Sequence, residues 1–206
     1  AACKAPDWQG AEILGVNAEG PFINPARKGA QNGEHVLRPD PGFLLDFADV
    51  VRITTLAPEM EGGLAFIDAV KAKSDILISM GHTDATFEQA KEAVAHGLGH
   101  ATHTFNAMTG LNHRAPGVAG AALTLPVTAE LIADPFHIHP GLFPLMVKAK
   151  GDKLCLITDC TRAGGLADGE YSLGGQPIFV RGIECRLADG TIAGSVLKLN
   201  EAVRNM

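Results

Sequence analysis

The sequence has no excess of basic charge: 17 lysines and arginines stand against 23 acidic residues, a formal net charge of −6. A surface for nucleic acid or anionic lipid needs a basic face, so neither is an expected partner, and any anionic ligand must be met by a few local groups. No apolar stretch reaches the roughly 20 residues that span a bilayer, so no membrane segment is expected. The four cysteines (Cys3, Cys155, Cys160, Cys185) form no CxxC pair and follow nothing that reads as a signal peptide; they read as reduced thiols of a cytoplasmic protein. Repeats, charge runs and low-complexity linkers are also missing. What remains is a globular composition, 46% hydrophobic over 206 residues, enough for one large domain or two small ones with a sizeable core.

Short apolar runs recur, each ending in a polar residue and leading into a helix-like segment. "EILGVNAEGPF" ends at Glu19, "VVRITTLAPE" at Glu59 and "DILISMGHTDAT" at His82. "GHATHTF" follows with His103, "AELIADPFH" with His137 and "KLCLITDCT" with Asp159. Helical spacing predicts helices over 61–73, 86–96 (Thr86 as N-cap, Gly97 just past the end) and 140–150. This is the rhythm of parallel βα units, and polar groups at strand ends favour a (β/α)8 barrel over an open sheet. After Asp159, Gly-Gly and Asp-Gly turns separate alternating runs, which predicts a β-hairpin insert. Six strands cannot close an eight-stranded barrel. Residues 1–206 therefore read as a partial barrel, an internal piece of a longer protein that starts without a leader and stops inside a new helix, "SVLKLNEAVRNM".

Glu19, His82, His103 and Asp159 are the residues most suited to chemistry. Imidazole nitrogen and carboxylate oxygen suit zinc or iron, and three protein ligands with an open position make a hydrolytic metal site. Taken singly, each histidine also reads as a hydrogen-bonded core residue and Asp159 as the cap of the next segment. Four such placements on separate strands are harder to assign to packing. Asp159, driven to the barrel mouth by "LCLIT", could accept a proton from metal-bound water and pass it to a leaving group. Arg27 and Lys28 in the polar loop after Glu19 read as solvated. Arg114 suits a phosphate through its guanidinium fork, although alone it is a weak signal. His137 and His139 form an HxH pair conceivable as metal ligands, but the following proline suggests a loop.

The segments "AEGPFINPARKGA", "TLAPE", "GHTDAT", "ATHTFNAM", "APGVAGA", "LCLITD" and "GTIAGS", in this order, resemble the N-acetylglucosamine-6-phosphate deacetylase family of the amidohydrolase superfamily over nearly the whole chain. The resemblance implies a (β/α)8 barrel, usually a homodimer, that removes acetate from an amino sugar phosphate with a divalent metal, zinc first and iron second, one or two ions per subunit. It implies Glu19, His82 and His103 as metal ligands and Asp159 as the catalytic acid/base. It implies sugar-phosphate contacts from Asn106, Ala107, Arg114, His137, Ile192, Ala193 and Gly194, with Arg114 reaching across the dimer. Ala30 and Gln31 match a further contact pair, and Gln31 departs from the histidine the family commonly carries there. The family's His-x-His pair falls before Ala1. Two alternatives stay open: an amidohydrolase acting on another N-acyl sugar or cyclic amide, and a non-catalytic sugar-phosphate-binding relic.

Overall fold

The structure, a computed structural model, describes residues 12–206, so Cys3 lies outside the described residues. All six expected strands form: β1 (Val16–Glu19), β2 (Val51–Leu56), β3 (Leu77–Met80), β4 (His100–Ala101), β5 (Thr128–Ile132) and β6 (Leu154–Ile157). They pair in sequence order and every pair is parallel, so the sheet is the arc of a partial (β/α) barrel. β4 is only two residues long. Main-chain bonds beyond it, from the Thr102 N–H to the Met80 carbonyl and from the Thr104 N–H to the Glu130 carbonyl, carry it to the barrel mouth.

The expected helices appear as α2 (Gly63–Lys73), α3 (Phe87–Ala95) and α5 (Phe143–Lys150), while α1 (Pro41–Leu45) is a short turn capped by Asp40. Thr86 and Gln89 form a reciprocal capping box at the start of α3. Gly97, at φ +110°, ends it where a side chain would be strained. The turn before α5 is a 3-10 turn over Pro140–Leu142. α6 (Leu199–Asn205) is the helix entered by the last residues.

One helix, α4 (Gly117–Thr124), has no counterpart in the sequence reading. Gly117 to Leu123 are all buried, so α4 has no polar face and no 3.6-residue alternation to detect. Its small residues let it sit against both α3 and α5. Phe66, Ile67, Val70, Ile78, Met80 and Leu131, all nearly inaccessible, fill the layer between helices and sheet. Burial of each such side chain is worth about 1.5–3 kcal/mol.

The hairpin expected after Asp159 is larger than a hairpin. β7 (Gly169–Leu173), β8 (Gln176–Arg181) and β9 (Glu184–Leu187) make a three-stranded antiparallel meander with its own small core of Ile178, Val180 and Cys185. Two contacts dock it on the barrel: Gln176 Nε2 donates to the Ala30 carbonyl at 2.9 Å, and the Arg186 guanidinium stacks 4.8 Å over the Phe136 ring. The strand reading overshot at two places. β2 ends at Leu56, three residues before Glu59, and β5 ends at Ile132, five before His137, so both of those residues lie in loops.

Candidate active site and metal centre

Glu19 is the last residue of β1, while His82, His103 and Asp159 each follow the last residue of β3, β4 and β6 by two positions. Their backbones share an unusual feature. His82, His103 and Asp159 have φ of +47°, +28° and +48°, three of the five non-glycine residues with positive φ among those described; Phe105 and Ala107 are the other two. Left-handed backbone costs an L-residue about 1–3 kcal/mol, so surrounding structure must hold it in place. The tertiary bonds do so. The Asn24 N–H donates to the His82 carbonyl, and Glu130 Oε2 accepts the His103 N–H at 3.1 Å. The Ser195 N–H donates to the Asp159 carbonyl at 2.8 Å.

Glu19 Oε1 lies 2.7 Å from His82 Nε2 and 3.2 Å from His103 Nε2, and the two imidazole nitrogens are 3.0 Å apart. His82 Nδ1 meets the Arg27 carbonyl at 2.7 Å, and a carbonyl can only accept, so Nδ1 carries the proton and Nε2 of the neutral ring does not. Two lone pairs therefore face each other at 2.7 Å, an arrangement that requires a cation between them, either a proton or a metal. One carboxylate oxygen and two imidazole nitrogens, brought together at the ends of three different strands, suit zinc or a similar divalent ion. The bond from His82 Nδ1 to the Arg27 carbonyl is of the kind that orients a metal-binding histidine, whereas His103 is tied to Glu130 through its main-chain N–H and its ring Nδ1 is buried without a partner among the described residues.

Burial alone would raise the Glu19 carboxyl, but hydrogen bonds and charge from His103 and His82 outweigh it and hold Glu19 well below the carboxylate range. Burial alone would lower His103; bonding to Glu19 and the charges of Glu19, Asp159 and Glu130 overcome this and push it up to about 9. Asp159 is raised to about 6, by burial first and then by the charge of Glu19, against the opposing pull of His103, His137 and His82. Without a metal, His103 thus holds a proton whose stabilising effect is complete below pH about 6.5 and is lost as pH rises through about 9. A divalent ion must displace that proton. Metal affinity is expected to rise about tenfold per pH unit toward pH 9, with close to one proton released per ion bound. Titration calorimetry in buffers of different ionisation enthalpy measures this; an affinity flat between pH 6.5 and 8.5 would remove His103 from the ligand set.

The cleft at the barrel mouth holds about 650 Å³. Of the residues singled out in the sequence, Glu19, Ala30, Gln31, His82, His103, Asn106, Ala107, His137, Asp159, Ile192 and Gly194 line it. Gln31 packs against Gly20, where a Cβ would come within 2.8 Å of Gln31 Oε1. Gly194 needs to be glycine: its φ is +58°, and a Cβ would press on the Asp159 carbonyl and the Thr161 methyl. Ala193 is fully buried behind the wall. Arg114 is not in the cleft; it is exposed, in the loop before α4. His139 is not paired with His137 either, since its Nδ1 accepts the Gly141 N–H. Arg27, read as solvated, forms an ion pair with Asp84 at 2.7 Å on the cleft rim.

The sequence reading missed Glu130, Asp134, Leu173 and Gln176. Glu130 and Asp134 carry a visible signal, being carboxylates inside the apolar run "AELIAD", where burial is costly unless each is paired. Leu173 and Gln176 have none, because only the folded meander brings them to the cleft.

No protein-family model matches the chain. It is 47% identical over 212 residues to N-acetylglucosamine-6-phosphate deacetylase of Bacillus subtilis, covering 100% of this chain and 53% of that protein. It is 39% identical to N-acetylgalactosamine-6-phosphate deacetylase of Escherichia coli O157:H7, covering 96% and 53%. The crystal structure of N-acetylglucosamine-6-phosphate deacetylase from Pasteurella multocida superimposes with a TM-score of 0.90 at 34% identity, over 97% of this chain and 53% of that one. Sequence and fold agree: over its whole length this chain is homologous to the N-acetylglucosamine-6-phosphate deacetylases, and it spans about half the length of the curated relatives it matches.

Proposed function

We propose that the protein hydrolyses the acetamide of N-acetylglucosamine 6-phosphate, releasing acetate and glucosamine 6-phosphate, with a divalent cation held by Glu19, His82 and His103. The observation that carries this reading is the convergence of those three donor atoms on the cleft that Asp159 also lines, in a homologue of such deacetylases. Zinc fits the donor set first and iron second, with one or two ions per subunit. When bound, the cation supplies Lewis acidity to the attacking water and the amide carbonyl.

Asp159 takes the proton of the attacking water and returns it to the departing amine, the two-way transfer open to a carboxyl that lines the cleft beside the donor set. Asn106, Ala107, His137, Ile192 and Gly194 hold the sugar phosphate, and Ala193, matched to the same stretch in the sequence, lies buried behind them and does not reach the cleft. The Ala30–Gln31 pair closes the other side, its Ala30 carbonyl fixed by Gln176. Gln31 donates through a neutral amide, so it leans on the cation for carbonyl polarisation where a histidine could carry charge. A cytoplasmic setting is consistent with the unpaired thiols of Cys155, Cys160 and Cys185.

The epimeric N-acetylgalactosamine 6-phosphate is the second reading, favoured by the relative named for that substrate. Acetate release from the two epimers by the metal-loaded, full-length protein tests both readings, and release from neither would overturn them.

Arg114, exposed and outside its own cleft, is proposed to reach the phosphate bound by the partner of a homodimer. Arg114→Ala is expected to weaken use of the 6-phosphorylated sugar by about 10- to 150-fold, corresponding to the 1.5–3 kcal/mol of a charge-assisted hydrogen bond, and to spare the unphosphorylated sugar. Mixing Arg114→Ala with Asp159→Asn protomers should restore one competent site per heterodimer. Equal losses for both sugars, with no restoration on mixing, would make Arg114 structural.

A further inference from the structure

His137 of the HxH stretch lies in a loop, as the following proline suggests, and the structure pairs it with Asp134. Asp134, 4% exposed, starts the loop that leaves β5. Its Oδ1 accepts the main-chain N–H groups of Phe136 at 2.9 Å and His137 at 2.7 Å. The same carboxylate accepts from His137 Nδ1, 2.9 Å from Oδ2 and 3.1 Å from Oδ1. A carboxylate can only accept, so Nδ1 carries the proton, and in the neutral ring Nε2 is left with a free lone pair.

The His137 side chain is 2% exposed, and Nε2 is buried without a hydrogen-bond partner among the described residues. The residue lines the cleft. A buried polar atom without a partner is costly unless a ligand or water completes it. The ring plane is also held: Phe136 stacks edge-on to His137 at 5.2 Å, and Arg186 of the meander lies over the other ring of that pair, Phe136.

We propose that Asp134 is a positioning residue that locks His137 in the Nδ1–H form, so that Nε2 accepts a hydrogen bond from a hydroxyl of the bound hexose. This rests on the amino-sugar reading of the cleft for the identity of the ligand, but not for the Asp134–His137 geometry. Asp134→Asn is the discriminating variant. Its Oδ1 still accepts the N–H groups of Phe136 and His137, so the turn survives, but its NH₂ now donates to Nδ1 and moves the imidazole proton to Nε2. The ring then presents a donor where the hydroxyl needs an acceptor.

The experiment is nitrogen-15 NMR of the histidine rings in the metal-loaded, full-length protein, with His137 assigned by its loss in His137→Gln, together with steady-state kinetics. The wild type is expected to show the Nδ1–H form and Asp134→Asn the Nε2–H form. KM should rise about tenfold, as for one lost neutral hydrogen bond, with kcat and the melting temperature little changed. A wild-type ring protonated on both nitrogens, or an Asp134→Asn ring unchanged from wild type, would overturn the proposal. So would a rise in KM without a change of ring form. If the protein released no acetate from either epimer, the NMR arm would still decide the Asp134–His137 relation.

Discussion

Replacing Asp159 with asparagine is expected to lower turnover by about 10²- to 10⁴-fold while leaving a full complement of metal. The amide can neither take the proton of the attacking water nor supply one to the leaving amine. The change is otherwise mild. Asparagine is isosteric and tolerates left-handed backbone better than most residues, which matters at φ +48°. The main-chain bond from Ser195 to the Asp159 carbonyl is untouched. Acetate release and elemental analysis on the same sample separate the two effects. A variant retaining more than half its activity would mean that another group moves the proton.

His82→Ala and His103→Ala are each expected to lose the metal and, with it, activity. The donor set has one oxygen and two nitrogens, and losing either imidazole leaves too few ligands for a stable three-ligand site. The drop in affinity should exceed the ~10- to 100-fold typical of losing a partner that only orients a ligand. The cost to folding differs between the two. His82→Ala also removes the bond to the Arg27 carbonyl, which ties the loop after β1 to the end of β3. His103 keeps its main-chain bond to Glu130 whatever its side chain, so His103→Ala is the cleaner test. A full equivalent of metal in dialysed samples of both variants would overturn the assignment.

Much of this site was legible in the chain because a parallel βα unit places the residue after an apolar strand at the barrel mouth. Reading where apolar runs stop was therefore enough to find Glu19, His82, His103 and Asp159, and Thr86 and Gly97 marked the two ends of α3. Where a run did not stop with its strand, as before Glu59 and His137, the same rule overshot into the loop. α4 escaped because amphipathic periodicity exists only in helices that have a wet face.

Local sequence thus determined the succession of strands along the chain, the strand-end carboxylates and imidazoles, and the chemistry of the donor set, since each depends on patterns a few residues long. Tertiary structure alone decided three other matters. It set the 2.7–3.2 Å convergence of groups up to 84 residues apart and the exclusion of Arg114 from its own cleft. It also brought the meander over Ala30 and Phe136, through contacts that include a hydrogen bond spanning 146 residues. Such contacts depend on sheet curvature and on the docking of one layer over another, and these are fixed by packing of the whole molecule rather than by any local pattern.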